Sequence, residues 1–222
     1  MTDAPPDFDP TLSQTLTLAE LLCARLCHDL AGPIGAAAAG AELLEEAEDL
    51  SPADREALDL LSASAQTAMI RVKFLRAAFG PAAPITWRAL RDLAQGFLGA
   101  PGNGLKAGEN GSFELQWETQ SSNSPCPPDL ARLLLNLILL GRDSLPLGGT
   151  LTLAGETAFT LRAQGNRAAL PAAAQLALAE GKTLDGRGAQ ALLLRGLTML
   201  IKFRLETCQI GGGINFFISK PE

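Results

Sequence analysis

The chain has 222 residues, 47% of them apolar and 19% charged, with a net charge of −6. That balance describes a folded protein of one large domain or two small ones, and its acidity argues against a nucleic-acid partner, which would favour a basic footprint. The longest apolar run, near Leu133–Leu140, is far short of the ~20 residues that span a bilayer. The acidic, Pro-rich start MTDAPPDFDP lacks the basic and apolar regions of a secretory signal. A cytoplasmic protein without membrane insertion is expected, and its four cysteines fit a compartment that keeps thiols reduced.

Residues 1–16 read as a flexible tail. Thr17-Leu-Ala-Glu20 has the spacing of a capping box, in which the threonine and the glutamate each satisfy a free N–H. A long helix is expected from there to about Asp49. Ser51-Pro52-Ala-Asp54 is a second start signal, with Pro at the first helical position. That helix should run to Phe79, where Gly80-Pro81 stops it. The product, residues 17–82, is a helical hairpin. Such a pair cannot hide its apolar stripes alone, and a dimeric four-helix bundle is the simple solution.

Residues 83–222 alternate. A helix is expected at Trp87–Gly99 after Thr86, then Gly- and Asn-rich punctuation over Ala100–Gly111, then a strand at Phe113–Glu118. The helix from Pro128 to Arg142 is apolar nearly all round and should be buried. Thr150–Leu153 and Ala158–Arg162 read as a strand hairpin. An Ala-rich helical piece follows Pro171, a helix covers Ala189–Ile201, and strands at Phe203–Gln209 and Ile214–Ser219 close the chain. The fold class is α+β: the hairpin, then an α/β layered domain with an antiparallel-looking sheet. Trp87 and Trp117 read as core or boundary aromatics.

His28 is the chain's one histidine. At ~100° per residue, Leu22, Leu26, Leu30 and Ile34 fall roughly 120°, 160°, 200° and 240° from it, an apolar stripe on the opposite side. If that stripe packs, His28 faces solvent. Its own side carries Ala24, Ala31, Gly32 and Gly35, small residues that let another protein approach. Each glycine costs the helix up to ~1 kcal/mol relative to Ala. Neutral imidazole can attack phosphorus, and the adjacent Asp29 can orient the ring or accept its proton. Pro33 lacks an N–H and deprives the Asp29 carbonyl of its helical partner. Cys23 and Cys27 with His28 lack the spacing of haem attachment and have no second pair to complete a zinc site. They read instead as small buried hydrophobes.

The stretch Leu22-Cys-Ala-Arg25-Leu-Cys-His28-Asp29-Leu-Ala-Gly-Pro33-Ile-Gly35, supported by Arg132–Gly141 and Gly148–Leu153, resembles the ChpT-type histidine phosphotransferases of alphaproteobacterial cell-cycle phosphorelays. These are histidine-kinase-like proteins with a degenerate ATP-binding domain. The kinase pattern has two asparagines four apart; here Asn136 is followed by Leu140, which cannot bind a hard cation. Its Asp-x-Gly-x-Gly becomes Ala163-Gln-Gly-Asn-Arg167, and its glycine-rich phosphate loop shrinks to Gly186-Arg-Gly188. No cofactor or metal is therefore expected in this chain.

The resemblance implies a homodimer with phosphotransferase activity. His28 would accept a phosphoryl group from the receiver domain of a hybrid histidine kinase and pass it to response-regulator receivers, with Mg2+ held by the receiver. Asp29 would orient the ring or take its proton, and Arg25, Ala24, Ala31, Gly32, Pro33 and Gly35 would form the docking face. Arg162 and Arg167, read as bordering the lost nucleotide site, are weaker candidates for contact with a receiver. Asn136 reads as a capped or buried relic. Two other readings remain open: an active kinase would bind nucleotide, and a non-catalytic adaptor would tolerate His28→Ala.

Overall fold

The computed structural model describes residues 10–45, 51–100, 111–183 and 185–221. Helix α1 (Pro10–Glu45) and helix α2 (Pro52–Phe79) form the expected hairpin. α2 begins where its signal sits. Ser51 Oγ accepts from the Asp54 N–H at 3.3 Å, and Asp54 Oδ2 accepts from the Ser51 N–H at 2.6 Å. The Ser51 hydrogen bonds hold the Asp54 carboxyl below its ordinary value.

α1 departs from expectation at its start. It begins at Pro10, so residues 10–16 are helical rather than a loose tail, and Thr17 is interior. Proline suits a first turn, and no glycine or proline between Pro10 and Thr17 stops the helix. The expected end near Asp49 lies outside the described residues.

The rest of the chain is β1 (Ile85–Thr86), α3 (Trp87–Gly99), β2 (Phe113–Glu118), β3 (Pro125–Cys126), α4 (Pro128–Asp143), β4 (Gly149–Gly155), β5 (Phe159–Gln164), α5 (Ala172–Glu180), α6 (Gly186–Leu200), β6 (Arg204–Ile210) and β7 (Gly213–Ser219). Thr86 caps α3, its hydroxyl accepting from the Ala89 N–H at 3.2 Å. β1 and β3, too short to announce themselves in sequence, pair as a small antiparallel ribbon. The main sheet has the order β2-β4-β5-β7-β6. It is mixed rather than antiparallel: β2 and β4 run parallel, the other neighbours antiparallel. The chain travels from β2 to β4 through α4, and such a crossover returns the strand in the same direction.

α4 is buried without a break from Leu133 to Gly141. It lies so close to the sheet that a Cβ on Gly141 would come within 2.7 Å of Leu161 and 2.8 Å of Leu151. The end of α2 joins the same core: Phe74 stacks on Phe97 with ring centroids 3.8 Å apart, and Leu75 and Ala78 are buried beside them. Hairpin and sheet domain therefore share one continuous interior. Trp87 is in that core, and Trp117 is at its boundary, donating to the Gln120 carbonyl at 2.8 Å. Among the described residues no helix is long and apolar enough to cross a membrane.

Candidate functional site

The His28 side chain is 89% exposed. Ala24, Ala31, Gly32 and Gly35 are exposed around it, and a Cβ added at either glycine would meet nothing within 4 Å. On the opposite side Leu26 and Leu30 pack against the core, as the stripe requires. Ile34 does not: it is 54% exposed. Cys23 and Cys27 are exposed as well, against the expectation of burial. These three residues lie roughly 220° to 260° from His28, on a flank of α1 that the single chain leaves uncovered. Cys126 is the buried cysteine, its thiol pushed up to about 12 by desolvation. The described residues hold no cluster of three or more side chains suited to a metal ion.

Asp29 sits under the ring. Its Oδ1 lies 3.4 Å from His28 Nδ1, while its side chain is only 15% exposed. Two arginines hold it. Arg25 Nε is 3.6 Å from Asp29 Oδ2, and Arg25 Nη2 donates to Asp143 Oδ2 at the end of α4 at 2.5 Å. Arg71, from α2, donates from Nη1 to the Asp29 carbonyl at 2.7 Å. That is the carbonyl that Pro33 deprives of its helical N–H, so α1 stays helical through Pro33 with its missing bond supplied by the neighbouring helix. Desolvation lowers the Arg71 guanidinium from its ordinary value, the charge of Arg142 lowers it further, and Asp29 opposes both.

Two residues expected on the docking face are not there. Arg25 is buried because the C-terminal domain covers that flank of α1: the start of α6 sits so close that a Cβ on Gly186 would be 2.8 Å from Arg25 Cβ. Pro33 is buried on the side facing the rest of the hairpin. The small-residue face is therefore Ala24, Ala31, Gly32 and Gly35 with His28. Arg162 also differs from expectation. It projects from the open face of the sheet, level with Thr152 and Asn215, whereas the buried strand residues face α4. It lies on the face of the sheet opposite the buried Ala163. Arg167 is exposed in the turn after β5 with φ +58°, keeping the left-handed backbone that a glycine of the kinase pattern would favour.

The residues that would hold a nucleotide and its magnesium do not fit that task. Asn136 is fully buried, its amide donating to the Ala78 carbonyl at 2.8 Å and the Arg132 carbonyl at 2.9 Å. Gln190 of α6 donates to the Asn136 carbonyl at 2.7 Å and lies 3.3 Å from its side-chain oxygen. Leu140 and Ala163 are buried apolar residues. At the start of α6 the Gly188 N–H is taken by the Asp185 carboxylate at 2.8 Å, and Gly186 faces α1. Arg71, Asp143 and Gln190 escaped the sequence reading. The available signal for Arg71 was an arginine on the stripe Thr67, Phe74, Leu75 and Ala78 that α2 buries.

Residues 106–207 match the family described as the histidine phosphotransferase C-terminal domain. The chain is 34% identical over 151 residues to the protein phosphotransferase ChpT of Brucella abortus (strain 2308), covering 68% of this chain and 66% of that protein, just under two thirds of its length. A solved bacterial phosphotransferase superposes with a TM-score of 0.74 at 26% identity, over 98% of this chain and 100% of that one. In sequence and in fold, these likenesses support a ChpT-type histidine phosphotransferase.

Proposed function

We propose that this chain is a phosphorelay histidine phosphotransferase whose phosphoacceptor is His28. The observation that carries the reading is one reactive side chain, almost fully exposed, on a helix face stripped to alanine and glycine. A receiver domain of a hybrid kinase, and then of a response regulator, would dock on Ala24, Ala31, Gly32 and Gly35. With the proton on Nδ1 held toward Asp29, Nε2 points outward as the nucleophile. Its N–P bond forms as the receiver's acyl phosphate P–O bond breaks, and the receiver carboxylate leaves with the electron pair. Asp29 stabilises the charge that develops on the ring. Transfer of this kind rests on positioning and charge neutralisation, and the receiver would supply the Mg2+.

Nucleotide has no part in this reading, since Asn136 and the start of α6 are committed to protein partners. The exposed Ile34, Met69 and Val72, and the apolar groove lined by Leu26, Leu30, Val72, Leu75 and Phe79, support a homodimeric four-helix bundle. The test is label transfer. Acid-labile label should reach wild type, and not His28→Ala, from a phosphorylated receiver but not from radiolabelled ATP. Label from ATP alone would restore the kinase reading, and no label from any of several receivers would leave the adaptor.

A further inference from the structure

We infer that Asp143, at the end of α4 in the C-terminal domain, is a positioning residue for phosphotransfer, acting through Arg25 on Asp29 and so on the His28 ring. The inference rests on the phosphotransferase reading above and assigns the C-terminal domain a part in it.

The chain of contacts is continuous. Asp143 and Arg25 are each 6% exposed at the side chain and meet at 2.5 Å through Oδ2 and Nη2. The Nε side of the guanidinium is turned to Asp29: Arg25 Nε and Asp29 Oδ2 lie 3.6 Å apart, and both are buried atoms with no hydrogen-bond partner, as is Arg25 Nη1. Buried polar atoms are rarely left so. The contact between them is one of charge rather than a hydrogen bond. The second oxygen of Asp29 is the one 3.4 Å from His28 Nδ1. The carboxylate thus spans a buried cation and an exposed ring.

Arg25 and Asp29 are four residues apart on one helix, and by itself such a pair on a surface is loose and weakly coupled. Here two elements of the other domain remove that looseness. Asp143 fixes the guanidinium, and the start of α6 closes over the Arg25 stem at Gly186. Other charges border the chain: Arg142 Nη1 is 3.7 Å from Asp143 Oδ1, and Arg71 holds the main-chain carbonyl of Asp29 while its charge also acts on the Asp29 carboxylate. A carboxylate fixed in this way selects the Nδ1–H tautomer of His28 and leaves Nε2 free to attack.

The test compares full-length wild type, Asp143→Asn and the double variant Arg25→Met/Asp143→Leu. The double variant replaces a buried ion pair by apolar side chains, a change that commonly preserves stability where breaking one partner does not. Two quantities are read. Ring 15N shifts of His28 in the unphosphorylated protein at pH 8.5 report the tautomer and require no transfer. The single-turnover rate from saturating phosphorylated receiver reports the chemistry. Both variants should move the ring toward the Nε2–H form and slow transfer by about tenfold or more, the double variant doing so with a Tm near wild type. Wild-type ring shifts and rate in either variant would overturn the inference. So would a double variant that regained both together with its Tm, since the pair would then serve only the fold. A wild-type protein that takes no label at all would instead sink the phosphotransferase reading, and the ring shifts would still decide whether Asp143 governs the tautomer.

Discussion

His28 on α1 and Asn136 on α4 occupy the two places where a kinase-like chain keeps its chemistry, and their surroundings are opposite. His28 is 89% exposed at the side chain, ringed by residues too small to obstruct a partner. Asn136 is fully buried, and its amide donors go to two main-chain carbonyls. Residue type alone does not separate them, since both are polar side chains from motif positions. What separates them is whether the group's bonding capacity is left open to an incoming molecule or consumed by the protein. The first condition suits a relay, the second a scaffold.

The largest effect should come from His28→Ala, with complete loss of transferable label and a urea midpoint close to wild type, because an exposed side chain costs the fold within about 0.5 kcal/mol. A strongly shifted midpoint would mean that His28 is part of the scaffold after all. Asn136→Ala should do the reverse. Leaving the buried Ala78 carbonyl without its side-chain donor and a cavity where the amide stood should cost about 2–4 kcal/mol in urea unfolding, while transfer per folded molecule persists. Loss of transfer at unchanged stability would reverse the contrast. Arg71→Ala tests the seam between the two regions, because the Asp29 carbonyl then has neither Pro33 nor Arg71 as donor. A loss of about 1–3 kcal/mol is expected, with hydrogen exchange rising first in the turns of α1 around Asp29. The smallest effect belongs to Gly32→Ala. With nothing near the new Cβ, the helix should gain up to ~1 kcal/mol and Tm should rise, while receiver affinity measured by titration falls. A gain in both would remove Gly32 from the docking face.

Much of this was legible in the chain because its signals are local. Ser51 and Asp54, or Thr86 and the start of α3, lie within one helical turn, so the sequence states both partners of each bond. The exposure of His28 followed from the angular position of Leu26 and Leu30. What could not be read depends on partners distant in sequence. Arg25 was assigned to a surface because a charge ordinarily belongs there; its acid, Asp143, is 118 residues away, and nothing in either neighbourhood announces the other. Arg71 and Asp29 are separated by 42 residues. The parallel pairing of β2 with β4 is equally remote, since strand patterns carry no direction. Cys23 and Cys27 were misplaced for a related reason: the stripe on α1 is wider than the single chain covers.

The way α4 and α6 close on each other and on α1 works as a lock against restoring the kinase pattern. Leu140 and Ala163 are sealed in the interior. Putting asparagine and aspartate back at those positions would bury two polar groups without partners rather than reopen a site. Gln190 would still hold Asn136, and Gly186 would still be seated on Arg25. Restoring the two residues of the kinase pattern would therefore be expected to destabilise the fold before it made room for a nucleotide.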